Sequence, residues 1–398
     1  MPHVCLAAHP RGPRLLPPRA RVRAASLWLG GLWMLALAMV PVYVGKSGGV
    51  QPGHAVMAVA ALVTLAGHAV QRDQLWLAFC LLDAVIVARC CWEVLATGNF
   101  AELLPAAFFL FNAVIVLALR AFVEREDGMR LVCRGILAAL VVAVAGIFVL
   151  GVRESIGTNT RIAGTFNNPN QLGYFSTCMG SLLAALYFRG QLSPRVLCCG
   201  LLATGFLAVV SLSKAAMVSF GIGVGFLVLG FRRSSSGLLV GILALLATLA
   251  LATSSLESGM FDDVPFVQRL RLIGNDSDDT LEARGYGLVV SDEPSVILFG
   301  RGHGEVVDIL GGEVHSTLGS VWVEYGAVGW LIFVGLLWAW ARSLHARHGL
   351  LRTLAIVAPP LLYGVTHNGS RATMFWVLMA VSHAVHATAG RGPGGRRA

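Results

Sequence analysis

The sequence predicts an all-α protein, a polytopic bundle of about twelve transmembrane helices with one large loop containing short helices. Hydrophobic residues make up 56% of the 398 residues and charged residues only 13%, against about 45–50% and about 25% in typical soluble proteins. The mean hydropathy is +0.73. Too few charges are present to coat several soluble domains, whereas lipid can solvate an apolar surface directly.

Long apolar runs are the second observation, because about 17–25 apolar residues cross the ~30 Å hydrocarbon layer of a membrane. Nine predicted helices occupy 26–253 and three occupy 316–388. The predicted spans are 26–44, 54–71, 74–95, 103–122, 131–151, 172–189, 195–212, 214–231, 237–253, 316–341, 352–367 and 371–388.

The distribution of arginine is the third observation. If the N-terminus is cytoplasmic, most of the 30 basic residues fall on the cytoplasmic side of the predicted spans, as the positive-inside rule requires. Residues 1–25 are then a disordered basic cytoplasmic tail and 389–398 a second cytoplasmic tail. The net charge of +9 follows from this topology, so nucleic acid is not an expected partner.

The sequence predicts neither a metal site nor a cofactor. Most of the eight cysteines lie in or beside apolar runs, and no Cys-x-x-Cys with a His partner occurs, so they are interpreted as small core residues. The acidic segment 275–279 has Leu281 and Gly287 where a calcium-binding loop would have Gly and Glu. It is therefore interpreted as a solvated acidic face.

One long loop, 254–315, is placed on the outer side by the charge pattern. It contains more than half of the 21 acidic residues of the chain, interspersed with apolar and aromatic residues. This mixture favours short interfacial helices over an unstructured segment. Long loops on compact scaffolds are usually functional or disordered.

A polar segment precedes the sixth predicted span. We expect a turn and a helix cap at Asn167, Asn168, Pro169 and Asn170. A helix that begins near Gln171 would direct its N-terminal amides outward as an anion site. Upstream, Arg161 could add a bidentate contact to a phosphate. The alternative is an ordinary capped turn with an arginine at the membrane interface.

Further cations lie on the outer side. Lys214 is one of only two lysines in the chain and joins the seventh and eighth spans; it could bind an anionic substrate or extend to the lipid headgroups. Arg284 lies in the long loop. Arg301 lies within the glycine-rich segment 299–304, which resembles a phosphate-binding pattern, but no strand precedes it and loop turns near a substrate are favoured.

Two histidines and an acid complete the candidate site. His315 lies where the chain re-enters the membrane and could take a proton at neutral pH or cap the helix. Glu324 follows about two and a half turns deeper, where an acid needs a partner. His367 and Arg371 lie in the last outer turn.

The third span carries Arg89 and Glu93 four residues apart. This spacing places the two side chains on one helix face. We interpret them as a structural ion pair within the membrane.

With these residues assembled, the chain resembles the O-antigen ligase and polymerase superfamily of bacterial membrane glycosyltransferases. The segment RIAGTFNNPNQLGYF (161–175) is similar to the family's Arg-x-x-Gly-Thr-Phe-x-Asn-Pro-Asn motif. SLSKAA (211–216) resembles its Ser-x-Ser-Arg turn, with Lys214 in place of arginine. The outer loop contains Arg284, FGRGHG (299–304) and His315 before EYG (324–326).

The resemblance implies a C-type architecture and metal-independent, inverting glycan transfer on the outer face of the bacterial inner membrane. The donor would be a polyprenyl-diphosphate-linked glycan, and the acceptor another glycan or lipid A core. Arg161, Lys214 and Arg284 would bind the diphosphate, and His315 would activate or orient the acceptor hydroxyl. From their own positions in the sequence, and not from the resemblance, Asn170, Arg301, Glu324, His367 and Arg371 are candidate supporting residues.

Two alternatives stay open. The shared motifs do not separate a ligase, which would act in lipopolysaccharide assembly, from a polymerase that adds to a lipid-linked repeat. The alternative hypothesis from another functional class is a secondary transporter with twelve spans. The long loop after the ninth span, and the lack of a repeat between the two halves, argue against transport.

Overall fold

The computed structural model describes residues 18–44, 50–125, 127–150, 153–156, 159–231, 284–291 and 293–384, with backbone alone at 18–26, 153–156 and 159–161. Nearly all of their regular structure is helical, so the predicted all-α class is confirmed. The helices are α1 (Pro18–Ala38), α2 (Pro52–Gly67), α3 (Gln74–Thr97), α4 (Leu104–Val123), α5 (Gly128–Leu150), α6 (Pro169–Phe188), α7 (Pro194–Val210), α8 (Lys214–Gly230), α9 (Pro294–Phe299), α10 (His303–Leu310), α11 (Thr317–His348), α12 (Leu350–Thr366) and α13 (Thr373–His383).

Shorter elements connect some of these helices. A 3-10 turn, Phe100–Leu103, leads into α4, and a second, Tyr286–Val289, precedes α9. An antiparallel hairpin of β1 (Arg153–Ile156) and β2 (Asn159–Ile162) links α5 to α6. The described end of the predicted outer loop therefore contains short helices.

The predicted apolar runs correspond to one helix each, except the ninth. That run, 237–253, and the loop residues 254–283 lie outside the described residues. Among those described, four helical stretches are long and apolar enough to cross a membrane: Gln74–Thr97, Phe100–Val123, Gly128–Leu150 and Thr317–His348. Six further apolar helices are shorter, so the total of about twelve spans stays a prediction.

Helices α6 and α13 lie at the centre of the bundle. Every residue of α13 is buried, and the Trp376 ring in this helix contacts Phe79, Phe109 and Phe333 at centroid distances of 5.5, 6.1 and 6.5 Å. By contrast, the outer surface exposes large apolar side chains, among them Leu95 (83% exposed) and Phe148 (75%). An apolar exterior around a packed interior is what a lipid environment favours.

Charged side chains collect at one end of the bundle, which we call the basic end. Asp73 Oδ2 lies 2.5 Å from Arg120 Nη2 and 3.3 Å from His383 Nε2. Arg347 donates to the His383 carbonyl at 2.9 Å, and Arg189 donates to the Ser382 carbonyl at 2.8 Å. Burial opposes the ionisation of Asp73, but hydrogen bonds from Arg120 and from the Trp76 amide outweigh it and lower its pKa to about 2.

The opposite end, where α6 and α13 begin and α12 ends, is the loop end. Residues 284–291 and 293–316 lie there, because the Tyr286 hydroxyl donates to the Val365 carbonyl and Arg284 to the Thr366 carbonyl. Every outer-side candidate residue whose side chain the structure describes is at this end.

A break in α11 anchors the loop. Gly326 has φ 65° and ψ −167° inside this helix, so carbonyls before it lose their helical partners. The Arg301 and Gly302 amides donate to the Val323 and Glu324 carbonyls at 2.8 and 3.1 Å. The approach requires glycine, since a Cβ at Gly326 would lie 2.4 Å from the Leu298 carbonyl carbon.

The predicted ion pair in α3 is confirmed and contacts the same loop. Arg89 Nη2 lies 3.5 Å from Glu93 Oε1, and both side chains are largely buried. Arg89 also donates to the Arg301 carbonyl. The pair therefore connects α3 to the loop segment that is anchored on α11.

Candidate functional site

A cavity of about 320 Å³ opens at the loop end of the bundle. Its wall is formed by the first turns of α4, α6 and α11, the N-terminus of α10 and the segment between α12 and α13. The polar side chains of the lining include Asn168, Asn170, Gln171, His303, Glu313, His315, Ser320, Glu324, His367, Asn368 and Arg371. The aromatic ones include Tyr43, Phe108, Phe109, Phe166, Tyr174, Tyr325 and Tyr363.

The first turn of α6 is built by the asparagine-rich turn. Asn168 is the N-cap, and its Oδ1 accepts a hydrogen bond from the Gln171 amide at 2.8 Å. Pro169 occupies the first helical position, where its missing N–H costs nothing. The helix thus begins two residues before the predicted Gln171. Because this terminus lines the cavity, the positive end of the helix dipole lies at its wall.

Aromatic rings continue from this terminus. The Tyr363 hydroxyl donates to the Asn170 carbonyl at 2.7 Å. Its ring lies between Tyr174 and His367, with centroid distances of 4.7 and 4.6 Å. Such rings, next to amide and hydroxyl groups, offer apolar faces together with hydrogen-bonding edges.

Arg371 is the only Arg or Lys in the cavity lining that the structure describes. Its Nη1 lies 2.8 Å from Glu313 Oε2. Asn368 donates to the same carboxylate at 3.4 Å and to Ser320 Oγ at 3.0 Å. Residues 368–371 therefore join the loop residue Glu313 to the first turn of α11.

Glu324, which the sequence indicated must have a partner, has two. Its Oε1 accepts a hydrogen bond of 2.6 Å from Ser320, and its Oε2 lies 3.3 Å from His303 Nδ1. The contact with Glu324 raises the pKa of His303 against the opposing effects of burial and of Arg371. His303 was not among the predicted site residues; the one signal was its position in the glycine-rich segment 299–304.

His315 lines the cavity, as expected of a candidate catalytic residue. Its ring lies edge-on to His367 at 6.4 Å between centroids. Its backbone amide donates to the Arg284 carbonyl at 3.0 Å. Arg284 is thus adjacent to His315, but its Nη1 donates to the Thr366 carbonyl at 2.7 Å, and it does not line the cavity.

The other predicted cations are not in the described cavity lining. Lys214 is the first residue of α8, which packs closely on α6, since a Cβ at Gly173 would lie 2.9 Å from the Cβ of Ser213. Arg301 contacts Glu305 at 2.7 Å. Arg161 lies in β2 opposite Glu154, and its side chain is outside what the structure describes.

In the glycine-rich segment 299–304, residues 300–302 form the turn between α9 and α10, as the favoured sequence interpretation predicted, whereas Gly304 lies in the first turn of α10. Two of its amides, those of Arg301 and Gly302, donate to carbonyls of α11 and are occupied. Its effect is to hold His303 against Glu324. Among the described residues, no group of three His, Cys, Asp or Glu side chains could hold a metal ion.

The arrangement combines a helix N-terminus and a guanidinium, which can stabilise an anion, with histidines that can accept a proton and aromatic faces that can contact a sugar ring. Compared with known proteins, the chain matches no protein-family model and no curated protein.

Proposed function

We propose that the protein is a membrane glycosyltransferase that transfers a glycan from a polyprenyl-diphosphate donor to an acceptor hydroxyl. We further propose that it acts at the outer face of the bacterial inner membrane, in the assembly of lipopolysaccharide or another surface polysaccharide, with about twelve spans and both termini in the cytoplasm. The family resemblance of segments 161–175, 211–216 and 299–326 is the basis of this proposal.

The observation that best supports the proposal is the cavity at the loop end. Two of the three sequence segments that the resemblance singles out line it: Asn170 belongs to the first, and His315 and Glu324 belong to the third. Lys214 of the second begins the helix packed beside α6. The cavity lies next to helices apolar enough to span a membrane. A lipid-linked substrate requires this proximity.

The chemistry of such a transfer matches the side chains of the cavity. The acceptor oxygen attacks the anomeric carbon from the face opposite the diphosphate, which inverts the centre. The bond from that carbon to the diphosphate oxygen breaks, and the diphosphate leaves with the electron pair. Arg371 and the N-terminus of α6 would stabilise that negative charge without a metal ion. Lys214, Arg161 and Arg284 would add to the positive potential.

The proposal is tested with purified protein in liposomes that contain an undecaprenyl-diphosphate oligosaccharide. Lipid A core is offered in one reaction, and only further donor in another. Glycan on lipid A core indicates a ligase, and a longer glycan on the lipid carrier indicates a polymerase. Absence of transfer in both, with folded protein, contradicts the proposal.

His315→Ala is the first variant to assay. We expect transfer to fall by about 100-fold or more, because a group that contacts the acceptor hydroxyl contributes in that range. The matched control is His345→Ala, which removes an exposed histidine from the far end of α11. Equal activity of His315→Ala and His345→Ala would remove His315 from the mechanism.

A further inference from the structure

Four histidines line the cavity, namely His54, His303, His315 and His367, and the surroundings of His303 and His315 differ. His303 Nδ1 lies 3.3 Å from Glu324 Oε2. Within the described residues, no carboxylate oxygen lies within 4.0 Å of a ring nitrogen of His315, whose ring contact is with His367. The two residues are therefore suited to different tasks.

The carboxylate beside His303 is held in place. Glu324 is only 3% exposed, and the Ser320 hydroxyl donates to its Oε1 at 2.6 Å. The backbone of the two partners is joined as well, because the Gly302 amide donates to the Glu324 carbonyl at 3.1 Å. The position of His303 is therefore fixed by both its side chain and the residue that precedes it.

A carboxylate on one side of a neutral imidazole selects the tautomer. With the proton on Nδ1, the ring nitrogen that lies 3.3 Å from Glu324 Oε2, the lone pair is on Nε2. Arg371 Nη2 is at 3.5 Å from this Nε2, which is too long for a strong hydrogen bond. A hydroxyl group of a bound substrate can therefore compete for the lone pair.

We infer that His303, oriented by Glu324, is the catalytic base that takes the proton of the acceptor hydroxyl. This inference rests on the proposed glycosyl transfer. As the acceptor oxygen bonds to the anomeric carbon, its proton moves to His303 Nε2, and the electron pair of the broken bond leaves with the diphosphate. Glu324 is a positioning residue that also stabilises the resulting imidazolium, and His315 orients the acceptor oxygen.

The charges around His303 predict the direction in which transfer changes with pH. Its protonated form is favoured by three carboxylates: Glu324 from α11, Glu102 from the 3-10 turn that leads into α4, and Glu93 from α3. Arg371 opposes protonation. A base must be unprotonated to act, so transfer should increase as the pH rises through the pKa of His303. Loss of the Glu324 charge should move this increase to lower pH.

The experiment measures kcat and KM for transfer between pH 5 and 9 in wild type, His303→Gln and Glu324→Gln. His303→Gln should reduce kcat by about 100-fold or more and abolish the acidic limb of the profile, while KM for the donor changes little. Glu324→Gln preserves volume and should reduce kcat and shift the acidic limb to lower pH. His345→Gln and Glu305→Gln, both at exposed positions, are the matched controls.

The outcomes separate the inference from the proposed function. If wild-type protein transfers no glycan, the proposed function fails. If it transfers glycan and His303→Gln keeps the wild-type kcat and acidic limb, the inference is overturned. If only His315→Ala abolishes the limb, His315 is the base instead. Should His303→Gln fail to elute as a folded species, the profile of Glu324→Gln decides, and an unshifted limb overturns the inference.

Discussion

Arg371→Ala is the substitution that best separates a role in transfer from a role in stability. The guanidinium contacts Glu313 at 2.8 Å, and the two side chains are 43% and 32% exposed. An ion pair this exposed contributes about 0–1 kcal/mol to the free energy of unfolding. The same guanidinium is the only Arg or Lys in the described lining of the cavity.

The expected loss of transfer is much larger than the loss of stability. Removal of one group that stabilises the charge of a transition state typically reduces kcat by about 100–1000-fold, or about 2.7–4 kcal/mol. Arg371→Lys should recover part of this loss, because lysine keeps the charge but not the planar fork of donors. We therefore expect activity in the order wild type, Arg371→Lys, Arg371→Ala.

The assay is kcat for release of undecaprenyl diphosphate, measured beside chemical unfolding in the same detergent. Arg342→Ala, at an exposed position of α11 near the basic end, is the matched control and should keep full activity. A reduction by Arg371→Ala of about tenfold or less would refute its role in charge stabilisation. A loss that matches the fall in folded fraction would refute it equally.

Three further predictions concern other parts of the molecule. Gly326→Ala should lower the free energy of unfolding by about 2–3 kcal/mol or more, because this φ of 65° strains any side chain. Its control is Gly335→Ala, a helical position with open space around it, which should change the free energy of unfolding by no more than about 1 kcal/mol. Equal effects of the two substitutions would contradict the account of the helix break. Asp73 has a pKa lowered from 3.8 to about 2, so it stabilises the fold above pH 3.8 and loses this effect as the pH falls toward 2. Because a third of the side chain is exposed, Asp73→Asn should lower the free energy of unfolding by about 1 kcal/mol at pH 7 and weaken its dependence on pH in acid. Asp127→Asn, at a side chain that is 71% exposed, should change neither quantity. Lys214→Arg should retain transfer activity, since it restores the residue usual in the family that the chain resembles; complete loss with folded protein would argue against a diphosphate contact there.

The helical class could be predicted from the sequence because hydropathy is a local property. An apolar run needs no distant partner to be helical in lipid, and α3, α4 and α5 lie within a few residues of their predicted spans. The start of α6 could be predicted for a similar reason, because Asn168 and Pro169 determine the conformation of the turn in which they lie. Helix ends were less accurate: α2 ends at Gly67, four residues before its predicted end.

The pairing of His303 with Glu324 was not predictable from local patterns. Their contact depends on the break at Gly326 and on the packing of residues 300–302 against α11, which bring together positions about twenty residues apart. Sequence reasoning identified Glu324 because a buried acid needs a partner, but could not name that partner. Arg284 illustrates the converse, since its cationic character is evident in sequence while its contact with the Thr366 carbonyl is not.

The most direct test of the central claim is the stoichiometry of transfer by the wild-type protein in liposomes. Free undecaprenyl diphosphate and new glycosidic bonds are quantified together by mass spectrometry. We predict one released diphosphate carrier for each bond formed, with no requirement for a proton gradient. No release from folded protein, or movement of the intact lipid-linked glycan across the membrane without cleavage, would contradict the account.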